Sequence, residues 1–324
     1  MQRRLVLNTL LASAATAFML PAWADGPPVR MLVGFPAGGS NDVIARHLAV
    51  GLQRELGRSV VVENKPGAGG QIAAQVLKAA KPDGTTLFLA NSHTVVMVPL
   101  TINNPGFDVD KDFAAVGMVA VNPDVFVLNG DVIGIPGAGL QEFVAWAKVN
   151  PGKGNVGVPA PASAPDFAVG VLAQAVGVGL KSIPYRGDAP IVQDVMAGQI
   201  PAGIGSVGAM MQPAKAGKLR IAAVNGVSRL PILPNVPTYA ELGIKGYEDV
   251  IFNGVFAPAG TPAGIIERYG AAIAKVVRSA DFGEKLAALG IQAHAGTAAE
   301  LNVRLKATQE FSARMVRNAG YKPQ

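Results

Sequence analysis

Short apolar runs alternate with segments of helical periodicity along this 324-residue chain, and few folds accommodate that alternation. Runs of strand length occupy residues 29–35, 60–63, 85–90, 154–158, 181–184, 202–206, 219–224 and 252–257. Helical spacing of apolar residues is found at 43–52, 72–77, 166–176 and 191–197, and a short helix is predicted up to residue 216. Strands that alternate with helices typically form parallel sheets, so the sequence predicts an α/β fold.

The chain is long enough for two domains, and two of its segments suit connections between domains. Residues 129–139 are rich in Gly and Pro, and residues 230–237 contain three prolines. The closing stretch is mostly helical, over residues 261–277, 281–289 and 297–318. We therefore expect a first domain formed by residues 25–126 and 250–324, a second formed by residues 127–249, and a chain that crosses between them twice.

The N-terminus has the pattern of a secretory signal peptide. Arg3 and Arg4 precede an apolar stretch over residues 5–20, and residues 21–24 end in a small-x-small cleavage pattern. The sequence predicts that residues 1–24 are removed by cleavage after Ala24 and that the mature protein is periplasmic. A transmembrane anchor is the weaker interpretation, because the apolar stretch is short and the cleavage pattern follows it directly.

Composition excludes several classes of protein. The absence of Cys argues against a disulfide scaffold and a Cys-ligated metal site. Loss of Arg3 and Arg4 with the signal peptide lowers the formal net charge from +6 to +4, and the basic residues of the last third are interleaved with acidic ones. Such a mild and dispersed positive charge does not predict a nucleic-acid partner.

Motifs for metal, nucleotide and covalent chemistry are weak. The three histidines, His47, His93 and His294, lack a second ligand at metal-binding spacing, so we expect no metal and no cofactor. Two G-x-G-x-x-G strings, at 152–157 and 203–208, lack either the strand–turn–helix context or the acidic residue of a dinucleotide site. We expect a protein that is not an enzyme.

A secreted α/β hydrolase that uses Ser40, His93 and Asp42 is the alternative function. No nucleophile motif supports it, and Ser40 and Asp42 are better explained as residues of a helix N-terminus, where Ser40 or Asn41 could be the N-cap. For His93, a hydrogen-bonding or structural role is favoured over acid–base catalysis.

Turns rich in Gly or small polar residues join the predicted strands to the predicted helices. They lie at residues 36–41, 66–70, 159–164 and 185–188. Glycine lets the backbone approach a ligand closely, and the first N–H groups of a helix have no acceptor within the helix. Several such turns at the carboxyl ends of strands predict a cleft that binds an anion through backbone N–H groups.

A series of motifs along the chain resembles the Bug family. The motifs are GFPAGGSND at 34–42, VVENKPGAGG at 61–70, KPDG at 81–84, DFAAV at 112–116, PYRG at 184–187, AGKLR at 216–220, LPNVPT at 233–238 and APAGTP at 257–262. Bug proteins are extracytoplasmic solute-binding receptors of the tripartite tricarboxylate transporter type. The resemblance extends in order over the whole mature chain.

This resemblance implies a type II periplasmic-binding-protein fold, with two α/β domains and a hinge of two crossing strands. It implies a small carboxylate ligand (a dicarboxylate, an amino acid or an aromatic acid), a membrane transporter or a sensor ectodomain as partner, and a monomeric receptor. Carried over to this sequence, the wall of the first domain would be Phe35, Gly38, Gly39, Ser40, Ala68, Gly69, Ser92 and His93. The opposite wall would be Ser163, Asp166, Tyr185, Asp188 and Ser206.

Two acidic residues depart from the family pattern. Asp166 stands where the family commonly has His, and Asp188 stands where it often has Gly. If either faces the cleft, it would repel a second anionic group of the ligand unless it is protonated or paired with Arg186. The hypothesis is a ligand with one carboxylate and a neutral or cationic far end. The other possibility is that Asp166 only caps a helix and Asp188 lies on the rim.

Overall fold

The computed structural model describes residues 26–324. The predicted signal peptide, residues 1–24, and its cleavage site lie outside the described residues. Within residues 26–324, no helix is both long and apolar enough to span a bilayer.

The described chain forms eleven strands. They are β1 (Val29–Val33), β2 (Val60–Asn64), β3 (Thr86–Asn91), β4 (Phe113–Asn122), β5 (Asp124–Leu128), β6 (Asn155–Val158), β7 (Lys181–Pro184), β8 (Ala202–Ser206), β9 (Arg220–Val224), β10 (Ile251–Pro258) and β11 (Gln292–Thr297). The eight predicted strands are confirmed. β4, β5 and β11 were not predicted, although β4 is the longest of all.

Eleven helices accompany these strands in the described part of the chain. They are α1 (Ser40–Leu56), α2 (Gln71–Lys78), α3 (Val98–Thr101), α4 (Val109–Asp112), α5 (Leu140–Val149), α6 (Ala164–Val176), α7 (Asp188–Met196), α8 (Val207–Lys215), α9 (Ala263–Val277), α10 (Ala280–Ala287) and α11 (Ala298–Asn318). A 3₁₀ turn covers Ala68–Gly70 and a π-helical turn covers His93–Met97.

The strands form two sheets. The first has the order β11-β4-β10-β3-β1-β2 and the second the order β7-β6-β8-β5-β9. β1 runs parallel to β2 and β3, and β6 runs parallel to β7 and β8, as predicted. β5 and β10 are antiparallel to their neighbours, and each is the first strand after the chain changes sheets. The sheets are therefore mixed, which the prediction of parallel sheets did not include.

Helices cover both faces of the first sheet, because the strand residues alternate between two buried faces. Met31 and Val33 of β1 pack with α1 and α9, whereas Leu32 between them packs with α2 and α11. All three residues are completely buried. The prediction of an α/β fold is confirmed.

The chain passes between the sheets twice. β4 of the first sheet ends at Asn122, and β5 of the second sheet begins two residues later at Asp124; the return runs through residues 225–250. Asn225 ties the two crossings together: its Oδ1 accepts the Asp124 N–H at 2.8 Å, and its Nδ2 donates to the Asp249 carbonyl at 2.9 Å. The predicted domain boundaries, at 126/127 and 249/250, stay a prediction.

Residues 129–139 follow β5 on the side of the second sheet. Ile133 and Ala138 of this segment pack into the same core as Phe126 and Phe143. The Gly- and Pro-rich composition here marks a connection from β5 to α5, and the change of sheet occurs upstream, at Pro123.

Two Gly-rich turns of the first sheet touch through their backbones. A Cβ built on Gly34, which follows β1, would lie 2.6 Å from the Cα of Gly70, which precedes α2. That distance is far inside van der Waals contact, so only glycine allows the two turns to pack at this separation.

Gly34→Ala is therefore expected to force the two turns apart and to lower the free energy of unfolding by roughly 1–3 kcal/mol, the usual cost of overpacking. Urea denaturation of wild type and variant measures this difference. Gly264→Ala is the control, because Gly264 lies in α9 with no neighbouring atom within 4 Å of the added carbon. Equal losses in the two variants would contradict the close approach.

Candidate functional site

A cleft lies where the carboxyl ends of strands from both sheets meet. It encloses about 1040 Å³ of empty space, its open mouth included. Eight of the predicted site residues line it together: Phe35, Gly39, Ser40, Ser92, His93, Ser163, Asp188 and Ser206. That these residues bind a ligand stays a prediction.

Five predicted site residues do not line this cleft, and three of these lie in the Gly-rich turns. Gly38 has φ +82° and donates its N–H to Asp42 Oδ2 at 2.9 Å, which closes the turn before α1. Ala68 is exposed. Gly69 lies behind His93, since a Cβ on Gly69 would be 2.5 Å from His93 Nε2. The second turn therefore supports the side chain of His93.

Asp166 and Tyr185 are the other two. The Asp166 carboxylate accepts the N–H of Ala162 at 2.7 Å, and Ala162 has a left-handed φ of +52°, so Asp166 holds the turn before α6. Tyr185 donates its hydroxyl to Asp194 Oδ2 at 2.6 Å, on α7. Asp166 thus holds the start of α6, whose N-cap is Ser163, whereas Asp188 faces the cleft.

Four helices begin at the cleft. They are α1, α6, α7 and α8, whose N-cap or first-turn residues are among its lining: Ser40, Asn41, Ser163, Ala164, Asp188 and Ser206. The N-caps of α1 and α7 are Gly39 and Gly187, which have no side chain to satisfy the first N–H groups. Because a helix N-terminus carries partial positive charge, this end of the cleft favours an anion. The prediction of Ser40 or Asn41 as N-cap is wrong by one residue.

A chain of hydrogen bonds connects the two sides of the cleft. The hydroxyls of Ser40, on α1, and Ser206, at the end of β8, are 2.7 Å apart. The Ser206 hydroxyl donates to Asp188 Oδ2, and the Ser206 N–H donates to Asp188 Oδ1 at 3.2 Å. Ser40 therefore takes part in a bridge between the two sides of the cleft.

A second acidic residue, Asp124, faces the cleft beside the hinge. It is 1% exposed, and Tyr247 donates its hydroxyl to Asp124 Oδ2 at 2.7 Å. Burial raises the pKa of Asp124 to about 7; the Tyr247 hydrogen bond opposes this shift and the negative charge of Asp188 adds to it. Burial also raises the pKa of Asp188, against the hydrogen bonds from Ser206. The sequence prediction did not include Asp124 or Tyr247.

Four buried side chains of the cleft have a polar atom without a hydrogen-bond partner among the described residues. The atoms are Asn41 Nδ2, His93 Nδ1, Asn122 Oδ1 and Thr308 Oγ1. Asn41 is 5%, His93 8% and Asn122 2% exposed. A buried polar group without a partner costs free energy, so both a donor and an acceptor here are available to a ligand.

His93 is neutral in this environment. Burial lowers the pKa of its imidazole to about 4, and the ring of Phe35 lies beside it with centroids 6.4 Å apart. The residues that the alternative hydrolase would use make other hydrogen bonds. The Ser40 hydroxyl bonds to the Ser206 hydroxyl, and the Asp42 carboxylate accepts hydrogen bonds from Gly38, Asn64 and Arg46. Ser40, His93 and Asp42 therefore form no hydrogen-bonded relay.

Asp124→Asn is expected to change how stability depends on pH. Between about pH 4 and pH 7 the folded chain holds a proton on Asp124 that the unfolded chain releases, so this contribution is lost as the pH rises through 7. Relative to wild type, the variant should gain about 4 kcal/mol of unfolding free energy from pH 4 to pH 8. Urea titrations at a series of pH values measure the difference.

His93→Gln is the contrasting variant. As the pH falls from 6.5 toward 4, the unfolded chain takes up a proton that buried His93 does not, so wild type loses stability. Removal of the imidazole should therefore make the variant lose less unfolding free energy than wild type as the pH falls from neutral to about 4. Curves for both variants that run parallel to wild type would contradict the burial of these two groups.

Known proteins share this architecture. Residues 44–320 match the family described as tripartite tricarboxylate transporter family receptor. Protein BugT of Bordetella pertussis is 33% identical over 289 residues, which cover 88% of this chain and 87% of BugT.

Two solved structures superpose over nearly the whole described chain. The periplasmic binding protein BugD has a TM-score of 0.85 and 31% identity, over 93% of this chain and 100% of that one. An R. palustris protein solved with adipate has a TM-score of 0.87 and 27% identity, with the same shares covered. The predicted fold and the resemblance to the Bug family are confirmed. The chain belongs to the tripartite tricarboxylate transporter receptor family of solute-binding proteins.

Proposed function

We propose that this chain is exported by cleavage after Ala24 and captures a small carboxylate in the cleft between its two sheets. The observation that carries this function is the meeting of four helix N-termini at one cleft in a member of a solute-receptor family. Backbone N–H groups and partial positive charge would hold the carboxylate without a cationic side chain.

The first turn of α1 is the centre of this anion site. Ser40 and Asn41 line the cleft, and their N–H groups belong to the helix start, where no acceptor exists within the helix. Asn41 Nδ2 is a further donor without a partner. The adipate with which the R. palustris protein was solved has carboxylates of the kind that accept hydrogen bonds from such donors.

Closure of the two domains around the ligand would generate the signal to a partner. The chain crosses between the sheets only at Pro123 and through residues 225–250 within the described part, so few backbone torsions separate an open form from a closed one. A ligand that contacts both walls favours the closed form. The receptor would act as a monomer that presents this form to membrane transporter subunits or to a sensor ectodomain.

Ser40→Pro tests the backbone capture directly. Proline is tolerated at the first position of a helix, and the preceding Gly39 has the extended ψ of 166° that a residue before proline requires. The substitution removes the Ser40 N–H, and Ser40→Ala, which keeps it, is the matched control. Because a hydrogen bond to a charged group contributes about 1.5–3 kcal/mol, Ser40→Pro should bind roughly 10- to 100-fold more weakly than Ser40→Ala.

The measurement is titration calorimetry of purified residues 25–324 with small monocarboxylates, dicarboxylates, amino acids and aromatic acids, after a thermal-shift survey of the same compounds. Amides of the binding acids should give no melting shift. Equal affinities of the Pro and Ala variants would overturn capture by the Ser40 N–H, and a survey in which no carboxylate raises the melting temperature would overturn the proposed function.

A further inference from the structure

We propose that Asp124 and Asp188, together with the side-chain carbonyl of Asn122, form a site for a cationic nitrogen in the cleft. The ligand would then be an amino acid or another compound with one carboxylate and one protonated amine. This inference rests on the proposed function, since the helix N-termini would hold the carboxylate end.

The two acidic residues, Asp124 and Asp188, lie on β5 and α7, on the side of the second sheet. Asp124 is the first residue of β5 and is paired in register with Ser206 of β8. Ser206 in turn donates two hydrogen bonds to Asp188, the first residue of α7. Asp124 and Asp188 therefore flank the same residue, and both line the cleft.

Asn122 provides independent support for a donor on the ligand. It is 2% exposed, it lines the cleft, and its Oδ1 accepts no hydrogen bond from the described residues. It lies at the end of β4, two residues before Asp124 across the hinge crossing. A protonated amine has three donors, which suits one amide oxygen and two carboxylates.

No cation of the described chain forms a salt bridge with either acid. The other charged and titratable groups around them are accounted for: Tyr247 donates its hydroxyl to Asp124, Tyr239 lies against Tyr247, His93 is neutral, and Asp249 pairs with Arg304 at 2.8 Å. Arg186 lines the cleft, but its side chain makes no ion pair among these residues and the residue is exposed. Among residues 26–324, therefore, no cationic side chain compensates the charge of Asp124 and Asp188; Asp188 has only the hydrogen bonds from Ser206 and its place at the start of α7.

Without a cation beside it, Asp124 keeps its proton up to about pH 7. The raised pKa of Asp124, at about 7, reflects burial and the nearby charge of Asp188. A ligand ammonium would supply positive charge at the same place and displace this proton. Affinity for an amino acid should thus rise as the pH increases through 7. Affinity for a dicarboxylate should fall over the same range, because its second carboxylate meets two ionised acids.

The test compares unbranched amino acids, with the amine two to six carbons from the carboxylate, with dicarboxylates of the same length. Calorimetry at pH 7 in two buffers of different ionisation enthalpy should show release of part of a proton on binding of the best amino acid. Asp188→Asn and Asp124→Asn should each lower the affinity for that amino acid by at least tenfold. The dicarboxylate of equal length should bind each variant as tightly as wild type, or more tightly.

Asp194→Asn is the control variant. Asp194 lies on α7 with Asp188, but its carboxylate accepts a hydrogen bond from Tyr185 and does not line the cleft. Asp194→Asn should therefore leave the affinities for amino acids and for dicarboxylates unchanged. The cationic site is overturned if dicarboxylates bind wild type as tightly as amino acids, or if both acid substitutions leave amino-acid affinity unchanged. The failure of every carboxylate to bind is a different result, which contradicts the proposed function itself.

Discussion

Partial positive charge from helix N-termini and negative charge from acidic side chains line the same cleft, and the site depends on how these charges are placed. The N-terminus of α1 gives one part of the cleft a positive potential that comes from the backbone alone. Asp124 and Asp188 give another part negative charge that burial makes costly. The first part suits a carboxylate in the proposed receptor function, and the second suits a protonated amine, so charge separation within the cleft would orient a zwitterionic ligand.

The hinge is the structural feature on which both parts depend. Asp124 is the first residue after the crossing at Pro123, and its backbone N–H donates to Asn225 on the returning crossing. Rotation about the hinge would therefore change the surroundings of Asp124 directly. Further from the hinge, the Ser40–Ser206 hydrogen bond joins the two walls. In the proposed receptor function, ligand binding, closure and the charge state of the two acidic residues would therefore be physically connected.

The residues that local sequence predicted best are those in the strand–helix turns. Ser40, Ser163, Asp188 and Ser206 line the cleft because the carboxyl ends of strands lie at one edge of each sheet, a rule that sequence alone supplies. The turn at 66–70 obeys the same rule but supports His93 from behind, since Gly69 packs against the imidazole. Whether a turn lines the cleft or lies behind another residue depends on how a third segment packs against it. Here that segment is the one that carries His93.

The alternation of strands and helices, the Gly-rich turns and the family motifs were all readable in the sequence, because each depends on residues close together in the chain. The tertiary structure alone decided that Asp188 faces the cleft while Asp166 holds a helix turn. It also brought Asn122, Asp124 and Tyr247 to the site. Asp124 and Tyr247 are 123 residues apart, and their contact exists only because the two crossings lie side by side. Local periodicity specifies the elements, whereas long-range strand pairing specifies which side chains meet.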